Sequence, residues 1–239
     1  MTTTRLRRHL RRLPSRFGKP SPPILEEGGF PAQRGSSKIP KIAVIDYGIG
    51  NLFSIRRALQ KTGLDVDIVS KPRDLAEYDG IVLPGVGNFK SGARNLYPLR
   101  SGISRLVDDG VPILGICLGM QLLFEESEES LGEGLSLLRG RVLRFHRYVK
   151  TPHMGWNNLR ILADNELLDG IGGKDYFYFV HSYYASPFER EVVVAETEYG
   201  VRFASVVAKK NIYGTQFHPE KSGKPGRRVL QNFAGIVKR

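Results

Sequence analysis

The stretch Val111-Pro-Ile-Leu-Gly-Ile-Cys117-Leu-Gly-Met-Gln121-Leu-Leu-Phe-Glu125 decides how the chain folds. Val111 to Ile116 is a short apolar run without polar alternation, the pattern of a strand buried on both faces. It passes through Gly115-Ile-Cys117-Leu-Gly119 straight into a helical pattern. A sharp strand–turn–helix of this form presents a Ser or Cys at the carboxyl edge of a sheet. Gly115 and Gly119 leave the turn room to approach neighbouring backbone. The helix that follows aims its N-terminal N–H groups at the sulfur, which favours thiolate. The Leu118 N–H is then placed to stabilise an oxyanion. Cys117 is the chain's only cysteine. A lone cysteine in apolar sequence also reads as a small core residue, and both readings stand at this point.

Outward from this turn, strands alternate with helices. Ile42–Ile45, Val66–Val69 and Gly80–Leu83 read as short buried strands. Leu52–Lys61 and Leu99–Asp109 read as helices, with Asn51 as N-cap of the first and Gly63 and Gly110 at the C-termini. This alternation specifies an α/β fold, one domain with a mostly parallel central sheet flanked by helices. The second half differs. Arg141–Phe145, Tyr176–Val180, Val192–Ala195, Ala204–Ala208 and Ile212–Gln216 are strand-like, so they extend the sheet or build a mixed β layer. A closing helix is expected near Arg227–Val237.

The net charge of +12 resembles a nucleic-acid signal, but its distribution argues otherwise. Residues 1–38 hold nine Lys/Arg and two acids, a net +7, leaving 27 basic and 22 acidic residues in 39–239. The segment 1–38 is rich in Pro, Gly and Ser and reads as a disordered basic extension. It fits translation from a misplaced start, an Arg-rich targeting peptide or a functional arm; we favour an extension with little function. The domain proper is then 39–239. No nucleic-acid motif is visible and no apolar run is long enough to span a membrane. The single cysteine excludes an internal disulfide framework. The five scattered histidines lack zinc-ligand spacing, so no metal or other cofactor is expected.

A nucleophilic cysteine needs a histidine base held by a third group. Gly214-Thr-Gln-Phe-His218-Pro-Glu220-Lys-Ser222 offers one. His218 and Glu220 are two residues apart after a strand, a spacing that places both side chains on one side. Pro219 marks the strand's end. His9 lies in the extension and His146 reads as a solvated strand end. His153 and His181 read as structural histidines or as alternatives to His218.

Gly115-Ile-Cys-Leu-Gly-Met-Gln121 followed about a hundred residues later by Gln216-Phe-His-Pro-Glu-Lys-Ser222 resembles the triad-type glutamine amidotransferases. Asp46-Tyr-Gly-Ile-Gly-Asn51, Leu83-Pro-Gly-Val-Gly-Asn-Phe89, Pro152-His-Met-Gly-Trp-Asn157 and Tyr178-Phe-Val-His-Ser-Tyr183 narrow the likeness to the glutaminase subunits of imidazole glycerol phosphate synthase. The likeness covers 41–239. It implies that Cys117 attacks the side-chain amide of L-glutamine, that His218 carries the proton, and that Glu220 orients His218. It implies oxyanion donors at Leu118 and at Val86, the latter once a peptide of Pro84-Gly85-Val86-Gly87 rotates. Gly85 and Gly87 border the substrate, Gln121 and Glu129 contact it, and backbone around Ser182 and Tyr183 takes its carboxylate. Read from spacing alone, Pro-Gly-Val-Gly is equally a tight turn, and Glu129 a solvated helix end.

The same resemblance implies a partner, a cyclase subunit built as a (β/α)8 barrel. The cyclase forms a heterodimer with this chain and uses its ammonia in histidine biosynthesis. Asn51, Trp156, Tyr178 and Lys221 are then expected at the docking face, although Trp156 alone reads equally well as a core aromatic. A cytoplasmic location follows from such a role. Three other readings are kept: a vitamin B6 or purine glutaminase, a basic nucleic-acid-binding protein, and an inactive regulatory subunit.

Overall fold

Residues 39–71, 75, 77–130 and 132–239 are described in a computed structural model. The expectation for 1–38 lies outside them.

The first half consists of β1 (Lys41–Ile45), α1 (Leu52–Gln60), β2 (Asp65–Val69), β3 (Gly80–Gly85), α2 (Phe89–Leu96), α3 (Arg100–Asp108), β4 (Ile113–Cys117) and α4 (Leu118–Gln121). The second half adds β5 (Glu126–Ser127), β6 (Gly140–Arg144), β7 (His153–Asn158), β8 (Arg160–Ile161) and β9 (Tyr176–His181). It continues with β10 (Tyr183–Pro187), β11 (Val193–Glu198), β12 (Arg202–Lys209), β13 (Ile212–Thr215) and α5 (Gly223–Val237).

Eight strands form one sheet in the order β2-β1-β3-β4-β13-β12-β11-β8. The first five are mutually parallel, and β12, β11 and β8 continue antiparallel. Apolar side chains alternate between two cores, one on each face. Ile42, Val44, Val82 and Leu114 pack with Ile55 and Leu59 of α1 and Phe233 of α5. Ala43, Ile45, Ile81 and Ile113 pack with Phe89 of α2 and Ile103 of α3. Burial on both faces explains why these strands read as continuous apolar runs. The second half does both things its sequence allowed. It extends the sheet, and it forms two smaller sheets, β10-β6-β5 and β7-β9. No helix among the described residues is long and apolar enough to cross a membrane.

Two elements depart from the sequence expectation. Helix α2 was not legible, because Ser91 and Gly92 interrupt its pattern. Gly92 packs tightly there: a Cβ would lie 3.0 Å from Leu122 Cδ1. The helix after Cys117 is only four residues long. It stops because the carbonyls of Leu122 and Leu123 accept N–H groups of Leu135 and Leu137, at 2.7 and 2.9 Å, rather than of the next turn. A single turn carries little macrodipole, so the helix contributes less to thiolate stability than its sequence suggests.

Candidate active site

The site lies where parallel strands end at their carboxyl edge, the usual binding position in α/β sheets. Gly85, the last residue of β3, stands in register with Cys117, the last of β4. Cys117 has φ 55° and ψ −108°, a conformation rare for a non-glycine residue. Such backbone costs about 1–3 kcal/mol and persists only where packing over-determines it. The surrounding glycines supply that packing. A Cβ on Gly119 would collide with the Leu83 carbonyl, and one on Gly115 would lie 2.7 Å from the Gly119 carbonyl oxygen. The elbow therefore sits directly on β3, which keeps the Cys117 side chain only 5% exposed but at the strand end.

His218 follows β13, and Glu220 lies in the 3-10 turn Pro219–Lys221. The pair does meet, but through this turn rather than by strand alternation. His218 Nδ1 donates to Glu220 Oε1 at 2.9 Å, with both side chains buried. Nε2, the other ring nitrogen, is buried and makes no hydrogen bond of acceptable geometry. Burial pulls the ring's pKa down, but the neighbouring Cys117 and Glu220 side chains outweigh it and push the pKa up to about 9. The ring is thus oriented by Glu220 at one nitrogen and open at the other, toward Cys117. The backbone is also tied: Ser222 Oγ donates to the His218 carbonyl at 2.6 Å and accepts the Tyr178 N–H at 3.0 Å.

The candidate oxyanion and substrate residues surround the same strand end. Leu118 opens α4 directly after Cys117. Val86 is 39% exposed just beyond β3, and Gly87 has φ 118°. This segment is held at both ends. The Tyr47 hydroxyl donates to the Pro84 carbonyl at 2.6 Å on one side, and Glu129 Oε2 accepts the Phe89 N–H at 2.6 Å on the other. Burial, then the proximity of Cys117, raises the Tyr47 pKa, so the phenol remains a neutral donor. Gln121 Nε2 donates to the Tyr183 carbonyl at 2.9 Å. Ser182 and Tyr183 lie where the chain passes from β9 to β10, half-buried.

His153 and His181 form a buried pair, Nδ1 to Nε2 at 3.1 Å, walled by Phe145, Phe179 and Phe203. His181 Nδ1 faces the Tyr183 carbonyl at 2.8 Å and must carry hydrogen. Its Nε2 then accepts from His153 Nδ1. Burial lowers the two pKa values to about 4 and about 3, so both rings stay neutral. They are structural, and His146 is exposed.

Of the candidate docking residues, Trp156 is 57% exposed and lies cross-strand from Tyr178, with ring centroids 5.9 Å apart. The core reading of Trp156 therefore does not hold. Lys221 Nζ sits 5.9 Å from the Tyr178 ring centroid. Exposed Asn51 caps α1, accepting the Ser54 N–H at 3.1 Å. The preceding Gly50 lies against Pro84 and Gly85, so Asn51, alone of these candidates, is tied to the segment that carries Val86.

Two further residues belong to the site, Gln216 and Tyr47. Gln216 is fully buried, and its Nε2 lies 3.7 Å from Cys117 Sγ. Its position two residues before His218 was the available signal. Tyr47 stands in Asp46-Tyr-Gly-Ile-Gly-Asn51, but its partner Pro84 is brought to it only by the sheet.

The family model for class-I glutamine amidotransferases matches residues 43–236, and the chain belongs to that family. Its curated relatives include the imidazole glycerol phosphate synthase subunit HisH of Halobacterium salinarum, 52% identical over 209 residues, covering 84% of this chain and 94% of the relative. The HisH subunits of Methanocaldococcus jannaschii and Geobacillus thermodenitrificans are each 50% identical, covering 82% of this chain and 100% and 96% of their own lengths. Among solved structures, PurLQS from Thermotoga maritima superposes with a TM-score of 0.69 at 20% identity, over 84% of this chain and 100% of the other. A putative GMP synthase subunit from Thermoplasma acidophilum gives 0.66 at 24% identity, over 84% and 94%. At these identities the structural likeness speaks for the fold.

Proposed function

We propose that this chain is the glutaminase subunit of imidazole glycerol phosphate synthase, with residues 39–239 as the amidotransferase domain. The observation that carries the reading is the His218 ring, oriented by Glu220 through Nδ1 while its buried Nε2 is free beside Cys117.

The thiol proton of Cys117 passes to His218 Nε2, and the sulfur attacks the side-chain carbonyl carbon of glutamine. Negative charge on that oxygen is met by the Leu118 N–H and, after rotation of the Gly85–Val86 peptide, by the Val86 N–H. His218 returns its proton to the departing nitrogen, so ammonia leaves and a glutamyl thioester remains. Water, deprotonated by His218, then attacks the thioester and releases glutamate. Glu129 holds the substrate ammonium, and backbone at Ser182 and Tyr183 holds its carboxylate. Gln121 has both side-chain N–H groups engaged, which leaves its carbonyl oxygen to accept the substrate amide.

The ammonia goes to a partner, a (β/α)8 cyclase subunit docked over Trp156, Tyr178, Lys221 and Asn51. An exposed tryptophan such as Trp156 is the kind of anchor that dominates interface energetics. The cyclase converts a phosphorylated ribulosyl intermediate to imidazole glycerol phosphate and an aminoimidazole carboxamide ribotide. We infer a cytoplasmic location from this biosynthetic role.

The test is ammonia release from glutamine by the chain alone, with the cyclase, and with the cyclase plus its ligand. Strong stimulation by the liganded cyclase is expected. Equal rates in all three states would overturn activation through Val86.

A further inference from the structure

We propose that Gln216 is a further catalytic residue, whose side-chain amide donates a hydrogen bond to the Cys117 sulfur and stabilises it as thiolate. The inference rests on the reading of Cys117 as nucleophile.

The orientation of the Gln216 amide follows from its neighbours. The Tyr183 carbonyl can only accept, so the Gln121 group facing it at 2.9 Å is its NH2. The same nitrogen lies 3.1 Å from the Gln216 side chain and presents its second hydrogen there, which requires the Gln216 oxygen. The Gln216 NH2 is therefore the end directed at Cys117, with Nε2 3.7 Å from Sγ. Gln216 is fully buried, and its backbone N–H is fixed on the Ser205 carbonyl at 2.9 Å. The amide is thus held in place before the reaction begins and gains or loses no proton during it.

The chemistry needs such a donor. In the thiol state Cys117 Sγ lies 3.8 Å from the Val180 carbonyl, which accepts the S–H. Loss of that proton leaves the sulfur facing a carbonyl lone pair, an unfavourable contact for an anion. The one-turn helix α4 supplies little compensating dipole. A fixed N–H in a dry site does supply compensation, because hydrogen bonds to charged groups there are stronger than in water. The arrangement also links recognition to reactivity. Gln121, which borders the bound glutamine, is the residue that holds Gln216 in its productive orientation.

The experiment uses the full chain with its liganded cyclase. Gln216→Met keeps the volume and removes the donor; Gln216→Glu keeps the shape and sets an acceptor against the sulfur. Alkylation of the single cysteine by iodoacetamide is followed by mass spectrometry, alongside glutaminase kcat and KM. Loss of one hydrogen bond to a charged group is expected to slow alkylation and lower kcat by about tenfold to a hundredfold. KM stays within about threefold, and the Glu variant is slower than the Met variant. Disruption of the fold would instead expose Cys117 and speed alkylation. Alkylation at the wild-type rate together with an unchanged kcat in both variants would overturn the proposal. Cys117→Ala serves as control: retained glutamine hydrolysis in that variant defeats the nucleophile reading itself, whatever Gln216 does.

Discussion

The backbone N–H of His218 donates to the carbonyl of Tyr178 at 2.9 Å, so the candidate base hangs on the strand that carries a candidate docking residue. Tyr178 belongs to β9, which pairs with β7 through six registered residues including Trp156 opposite Tyr178. Ser222 Oγ adds a second tie between Tyr178 and the His218 loop. A partner that shifts this strand pair moves the base with it.

Trp156→Ala is therefore expected to weaken association with the proposed cyclase partner by about 2 kcal/mol or more, as for a central aromatic anchor. Titration calorimetry of the purified subunits measures this. An unchanged Kd would remove Trp156 from the interface.

Glu220→Gln tests the orienting carboxylate. The amide can still meet His218 Nδ1, but it no longer favours a protonated ring. A fall in kcat of about 10² to 10⁴ is expected, the scale seen when a triad's orienting acid is neutralised, with KM for glutamine little changed. Steady-state glutaminase kinetics of the complex decide it; a loss confined to KM would contradict the orienting role.

Much of this site is legible in the amino-acid sequence. The strand Val111–Ile116 and its glycines announce the elbow, because a buried parallel strand and a tight turn each leave a local mark. His218 and Glu220 are legible from their spacing, although the geometry that joins them is a 3-10 turn. Helix α2 is not, since Gly92 answers to Leu122, a contact thirty residues away. Tyr47 and Gln216 escape for the same reason. A phenol donating to Pro84 and an amide donating to Cys117 are tertiary facts with no sequence period. The length of α4 is also hidden, because the N–H groups of Leu135 and Leu137 take the carbonyls of Leu122 and Leu123 just beyond it.

Tyr47→Phe removes the donor that fixes the Pro84 carbonyl beside Gly85. Leaving a buried acceptor unsatisfied costs about 1–3 kcal/mol, so a lower urea midpoint is expected. Glutaminase kcat should also fall, because the peptide that presents Val86 loses its fixed pivot. Wild-type kcat in the folded variant would show that the clamp serves stability alone.

The buried histidines set opposing pH dependences. His153 and His181 resist protonation until about pH 4 and about pH 3, whereas the unfolded chain takes up those protons near pH 6.5. Stability is then lost as pH falls below about 6.5. His218 behaves oppositely. Its raised pKa stabilises the fold fully below about pH 6.5, and that contribution disappears as pH rises through about 9. Urea unfolding of wild type and His218→Gln across this range should show the wild-type advantage shrinking between pH 6.5 and 9. A constant difference would contradict the raised pKa.

The most direct test of the central claim is Cys117→Ala assembled with the cyclase and supplied in turn with glutamine and with ammonium salt. Glutamine should yield no ammonia and no product, while ammonium-fed synthesis of imidazole glycerol phosphate continues. Glutamine hydrolysis that survives the substitution would show that Cys117 is not the nucleophile.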